Sequence, residues 1–120
     1  MLPKSRRLTR RRDFREVYEK GRSYANRAAV VYVLHREGTG SRVGFSVSRR
    51  IGSAVDRNRE KRRFREVIRV LCKRVKPGVD LVFVVRRGAM KMEFRELEKS
   101  LRDLLGRAGV FRDERRDSSQ

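Results

Sequence analysis

The 120 residues contain no tryptophan, one histidine and one cysteine. His35 alone has no partner set for nucleophilic or acid–base catalysis, and it reads as an ordinary strand-end residue. No Cys/His constellation spells a zinc site, which excludes the common zinc modules of nucleic-acid binding. Cys72 cannot form an intramolecular disulfide, and its place on an apolar stripe predicts a buried small hydrophobe. A reducing cytoplasmic setting is compatible with that. The acids are few, 15 against 34 lysines and arginines. They are scattered, mostly beside arginines, and no pair or triad resembles a two-metal phosphodiesterase site. No glycine-rich loop of nucleotide-triphosphatase type is present. No apolar run approaches the length of a membrane span, and no apolar segment follows the basic N-terminus, so no secretory signal is expected.

What is abundant is positive charge. The formal net charge is +19 and the isoelectric point is near 11.6. Such a chain repels itself unless an anion compensates, and nucleic acid is the leading partner class. An anionic membrane would need an amphipathic helix with a bulky apolar face to spare. The apolar faces here are short and needed for the core, so no membrane partner is expected. One domain fits the length.

The cations concentrate between Ser46 and Val75, at Arg49, Arg50, Arg57, Arg59, Lys61, Arg62, Arg63 and Arg65. An apolar stripe follows at helical spacing: Phe64, Val67, Ile68, Leu71, Cys72, Val75. Ser53 and Asp56 form a capping-box pattern, so one helix is expected from about Ala54 to about Arg74. On it Asn58, Arg62, Arg65 and Arg69 fall away from the stripe, with Arg59, Arg63 and Glu66 beside them. Arg57 and Lys61 fall near the apolar side before the stripe begins, so they are expected to extend past the packing edge. The result is a rigid, anchored post for polyanion.

The remaining elements follow from periodicity. Asp13–Lys20 predicts a short helix with Phe14, Val17 and Tyr18 on one face, stopped by Gly21, with Thr9 as cap of a longer version. Asn26–Arg36 predicts a strand covered on both faces, and Arg42–Ser48 one that alternates strictly. The latter turns Gly44, Ser46 and Ser48 to one side, a shallow polar floor that a polynucleotide backbone can approach. Val79–Arg86 predicts a third strand, and Met92–Leu105 a second amphipathic helix ended by Gly106 and Gly109. The fold class is therefore α+β, a single sandwich domain of order α-β-β-α-β-α with helices packed on a mixed sheet. Its expected bounds are 9–111, after a basic arm at 1–8 and before a disordered tail at 112–120.

Three segments resemble the protein subunit family of bacterial ribonuclease P. They are Asp13-Phe14…Val17-Tyr18…Gly21 with Ala25-Asn26-Arg27; Val43 through Gly52; and Ala54 through Glu66, which resembles the family's RNR motif. The likeness runs from about residue 7 to 106. It implies a left-handed β-α-β crossover, against the usual hand. It implies that a large catalytic RNA, with bound Mg²⁺, removes the 5′ leader of precursor tRNA. It implies that Arg57, Asn58, Arg59, Lys61, Arg62 and Arg65, with the basic pair Arg49 and Arg50, face that catalytic RNA. It further implies that Phe14, Tyr18 and Tyr32 line a cleft for the single-stranded leader, with Ser46 and Ser48 as its floor. No protein partner is required on this reading, and metal ligands on the chain cannot be assigned. The alternative is a structural RNA-binding protein of ribosomal type, equally small and basic; a protein-only nuclease lacks the necessary acids and histidines.

Overall fold

The computed structural model describes residues 6–38 and 40–112. Most of the expected arm and tail lies outside them. Helix α1 (Arg11–Lys20) is followed by strands β1 (Arg22–Ala25), β2 (Ala29–His35) and β3 (Arg42–Ser46). Helix α2 (Ala54–Leu71), strand β4 (Val79–Val85) and helix α3 (Phe94–Ala108) complete the chain. Short 3-10 turns at Arg49–Ile51, Cys72–Arg74 and Arg87–Lys91 join them. One sheet forms in the order β1-β2-β4-β3, antiparallel except for the parallel β3–β4 pair. The connection between those parallel neighbours is α2, a β-α-β crossover.

The order is thus α-β-β-β-α-β-α, with one strand more than expected. β1 is four residues long, polar and largely exposed, so it carries no apolar alternation to announce it. Its hairpin partner β2 begins at Ala29 rather than Asn26, because Asn26 makes the turn. The Asn26 Oδ1 accepts from the amides of Ala28 and Ala29 at 3.0 and 3.2 Å. Its Nδ2 donates to the Ser100 carbonyl at 2.9 Å, tying the hairpin to α3.

Thr9 does not cap α1. The helix starts at Arg11 and the N-cap residue, Arg10, makes no side-chain cap bond. Gly21 does end it, by close approach: a Cβ there would sit 2.6 Å from the Val17 oxygen and 2.7 Å from that of Val33. In α2 the capping box forms as the spacing predicts, with Ser53 and Asp56 bonding each other's amides at 3.2 Å. In α3 the stop is Gly109, left-handed at φ 72°, while Gly106 lies inside the helix.

The main core lies between the sheet and two helices. Val31, Val33, Val43, Leu81 and Phe83 meet Phe64, Ile68 and Leu71 of α2 and Leu97, Leu101 and Leu104 of α3. Phe83 stacks on Phe45 at 5.9 Å and meets Phe64 edge-on at 6.5 Å. Cys72 is buried in this layer as expected, and burial pushes its thiol above the ordinary range. The thiolate is the nucleophile. Alkylation of Cys72 by iodoacetamide at neutral pH is therefore expected to be far slower in the folded chain than in urea, which mass spectrometry reads directly.

The other face carries α1. Val17, Val82 and Leu8 are buried there, with Phe14, Tyr32, Leu34 and Val84 partly buried around them. The chain ahead of α1 lies along β3: the Leu8 amide donates to the Val43 carbonyl at 2.8 Å, and Arg6 Nε to the Ser41 carbonyl at 2.7 Å.

Candidate nucleic-acid interface

The strand register defines what α1 covers and what it leaves open. Tyr32, Val82 and Gly44 align across β2, β4 and β3 and lie under the helix. The next row, Val30, Val84 and Ser46, is only partly buried. Gly44 is not the open floor its side suggested. A Cβ there would meet the Phe14 ring at 2.6 Å and Leu8 at 3.0 Å, so the ring covers the strand where a polynucleotide was expected. The floor therefore begins at Ser46. Ser48 lies beyond the end of β3, and its hydroxyl accepts from the Arg50 amide at 3.2 Å to cap the next turn.

The aromatic residues do come together. Phe14 and Tyr18, one helical turn apart, have ring centroids 6.4 Å apart. Tyr18 meets Tyr32 edge-on at 4.9 Å. Tyr18 is 37% exposed although its neighbour Val17 is fully buried, so its side chain reaches the surface.

An ion network fixes this wall. The fully buried Asp80 carboxylate accepts from Arg42 at 2.7 Å and lies 3.5 Å from Arg36. Arg42 also reaches Asp13, at 3.4 Å, and Arg36 reaches Glu16, at 2.8 Å. Both acids are on α1, so the helix is clamped to one end of the sheet face. The bond to Asp80 holds the Arg42 guanidinium above its ordinary value.

Beyond the floor stands the cationic helix. Asn58, Arg59 and Arg62 are exposed, as are Arg49 and Arg50 on the preceding turn. None of these arginines pairs with a carboxylate among the described residues, so their charge is available to a ligand. Three expected RNA-facing residues behave differently. Arg57 donates to the Gly52 carbonyl at 2.8 Å and helps hold the turn. Lys61 and Arg65 are partly buried and line a cavity with Phe14, Gly44 and Phe45, rather than standing clear of the packing edge.

Arg63 and Glu60 are the residues that charge density conceals. Glu60 is fully buried on the core side of α2, and Arg63 Nη1 donates to its two oxygens at 2.9 and 3.1 Å. Arg63 also donates to the carbonyls of Ala89 and Met92, which binds the Arg87–Lys91 turn to α2. An arginine inside a basic run reads as solvated. Only its i,i+3 acid partner, falling on the core side, could have suggested otherwise.

Residues 2–109 match the Ribonuclease P family. The chain belongs to the ribonuclease P protein family. A ribonuclease P protein component from Symbiobacterium thermophilum is 47% identical over 114 residues, 94% of this chain and 99% of that protein. One from Clostridioides difficile is 39% identical, covering 82% and 87% of the two chains. Among solved structures, the Staphylococcus aureus RNase P protein superposes with a TM-score of 0.82 at 36% identity, over 91% of this chain and all of that one. The Thermotoga maritima RNase P protein gives 0.76 at 32% identity, over 84% and 96%. The chain is thus the protein part of a ribonucleoprotein endoribonuclease of tRNA processing. Membership in the ribonuclease P family also sets the ribosomal alternative aside.

Proposed function

We propose that this chain binds the catalytic RNA of ribonuclease P through the exposed cations of α2 and its preceding turn. In the same assembly the sheet face beside α1, from Ser46 onward and next to the aromatic cluster, takes the single-stranded 5′ leader of precursor tRNA. The observation that carries this reading is the adjacency of two surfaces. The aromatic cluster of Phe14, Tyr18 and Tyr32 adjoins, through Phe14, the helix that presents Asn58, Arg59 and Arg62 without carboxylate partners. Bases stack on aromatic rings with little regard to sequence, and phosphates seek unpaired guanidiniums. A leader-binding device needs both, because leaders differ in sequence.

Bond cleavage belongs to the RNA. The groove offers rings, hydroxyls and guanidiniums, whereas Mg²⁺ takes carboxylate, carbonyl and water oxygens. The described residues bring no three His, Cys, Asp or Glu together as a metal site. On this reading Mg²⁺, bound mainly by the RNA, serves the phosphodiester hydrolysis. The protein's contribution is to hold the leader, orient the precursor and neutralise phosphates. No helix among the described residues is long and apolar enough to cross a membrane, and the cytoplasm is the expected compartment.

The test is reconstitution with a bacterial catalytic RNA, measuring precursor cleavage at low Mg²⁺. Stimulation over RNA alone is expected, and its absence would refute the reading. Replacing Arg62 by Ala should then weaken assembly and lower the salt dependence of binding by about one unit of slope, as for one lost phosphate contact. An unchanged slope removes Arg62 from the interface.

A further inference from the structure

Helix α1 is held to the sheet by little apolar contact. It has ten residues, no side-chain cap bond at its start, and one fully buried residue, Val17. A helix of that length is marginal on its own. Val17 packs with Leu8 and Val82, and the partly buried Phe14 and Tyr32 surround them. A single apolar ridge fixes where a helix lies but leaves it free to roll about its axis.

The roll matters because of what flanks the ridge. At about 100° per residue, Asp13 and Glu16 lie about 40° and 100° to one side of Val17, and Phe14 and Tyr18 about 60° and 100° to the other. The acids and the rings are opposite flanks of one lever. The sheet beneath is divided in the same way. The row Tyr32, Val82 and Gly44 runs under the helix, with Leu34, Asp80 and Arg42 as the row on one side and Val30, Val84 and Ser46 as the row on the other.

Asp80 stands at the centre of its row and is fully buried. Arg42, its neighbour across the parallel pair, donates to it from Nε at 3.1 Å and from Nη2 at 2.7 Å. Arg36 Nε stands 3.5 Å from the same carboxylate. Each guanidinium turns a further nitrogen to α1: Arg42 Nη1 to Asp13 at 3.4 Å, and Arg36 Nη1 to Glu16 at 2.8 Å. A planar guanidinium can bridge in this way because it presents several donors in fixed directions. Asp80 supplies the charge that keeps both in place, since two arginines gathered without it repel.

We propose that Asp80 is a positioning residue for leader recognition. Through Arg36 and Arg42 it holds down the acidic flank of α1, and so sets the height at which Phe14 and Tyr18 stand above the sheet. Being fully buried, it acts without touching RNA. The proposal rests on the reading that these rings meet the leader, but the control of the helix roll does not.

The first measurement uses the free protein and the variant Asp80→Asn, which keeps the shape and removes the charge. Nuclear Overhauser cross-peaks between the Tyr18 and Tyr32 rings, 4.9 Å apart, report the roll, and those between Phe45 and Phe83, 5.9 Å apart in the main core, report intact folding. The first set should weaken while the second stays. The double variant Asp13→Asn with Glu16→Gln should do the same from partly exposed positions, and it decides the matter if Asp80→Asn does not fold. Unchanged Tyr18–Tyr32 cross-peaks in the folded variants overturn the proposal.

The second measurement uses the enzyme reconstituted with a bacterial catalytic RNA. Both variants should raise KM for precursor tRNA about tenfold, within the range for one displaced stacked base, with kcat unchanged. Mature tRNA should bind as it does with the unaltered chain. An unchanged KM, or equal losses for precursor and mature tRNA, makes the network a plain fold brace and overturns the proposal. Failure of the unaltered chain to stimulate cleavage would refute the proposed function instead, and the ring cross-peaks would still decide whether Asp80 sets the roll of α1.

Discussion

Replacing Arg63 by Ala is expected to lower folding stability by about 3–5 kcal/mol, the usual cost of orphaning one member of a buried ion pair. Glu60 is fully buried and loses its one counter-ion among the described residues, while the carbonyls of Ala89 and Met92 lose a donor. Urea unfolding should show the midpoint falling with little change in slope. The double variant Glu60→Leu with Arg63→Met should recover part of the loss, because it removes the stranded carboxylate, but the two carbonyls stay unserved. A stability change under about 1 kcal/mol would mean that Arg63 is a surface cation after all. For Arg63→Lys, which keeps the charge and loses the fork, the salt slope of RNA binding should match the unaltered chain. That outcome separates a brace from a phosphate contact.

The second large effect concerns the groove. Tyr18→Ala should weaken precursor-tRNA binding by roughly 1–3 kcal/mol, the range for one stacked base, and leave mature tRNA binding unchanged. Tyr18→Phe should bind like the unaltered chain, since stacking uses the ring and not the hydroxyl. Tyr32→Ala should give a similar loss of precursor binding for two reasons, because its ring stands 4.9 Å from that of Tyr18 and also packs in the small core under α1. Thermal denaturation separates these contributions: Tyr32→Ala should lower the midpoint and Tyr18→Ala should hardly move it. Equal losses for precursor and mature tRNA would place both rings outside the leader's path.

Much of this arrangement was legible in the residues. The apolar stripe from Phe64 to Leu71 marks α2, and Ser53 with Asp56 marks its start, because helical period and capping are local properties. β2 and β4 announce themselves as apolar runs for the same reason. β1 does not, since a four-residue polar edge strand is held by pairing with β2 and not by its own pattern. The aromatic cluster was legible only in part. The spacing of Phe14 and Tyr18 puts them on one helix face, but Tyr32 is 14 residues beyond Tyr18 in the chain. Only the packing of α1 across β2 brings the two tyrosine rings together. The likeness to the ribonuclease P family implies that grouping, and the fold makes the contacts.

By itself the sequence determined that the molecule is one basic α+β domain built around a cationic helix, and that its own side chains hold no obvious catalytic set. Charge, period and residue type are additive along a chain, so they can be read there. Tertiary structure decided which cations are spoken for. Arg63 is consumed by Glu60 and two carbonyls, Arg57 by Gly52, and Arg42 by Asp80, while Arg7 and Arg65 are left facing one cavity. That division depends on which acceptors come within about 3 Å after folding, and hydrogen bonding is too short-ranged to be inferred from separation along the chain.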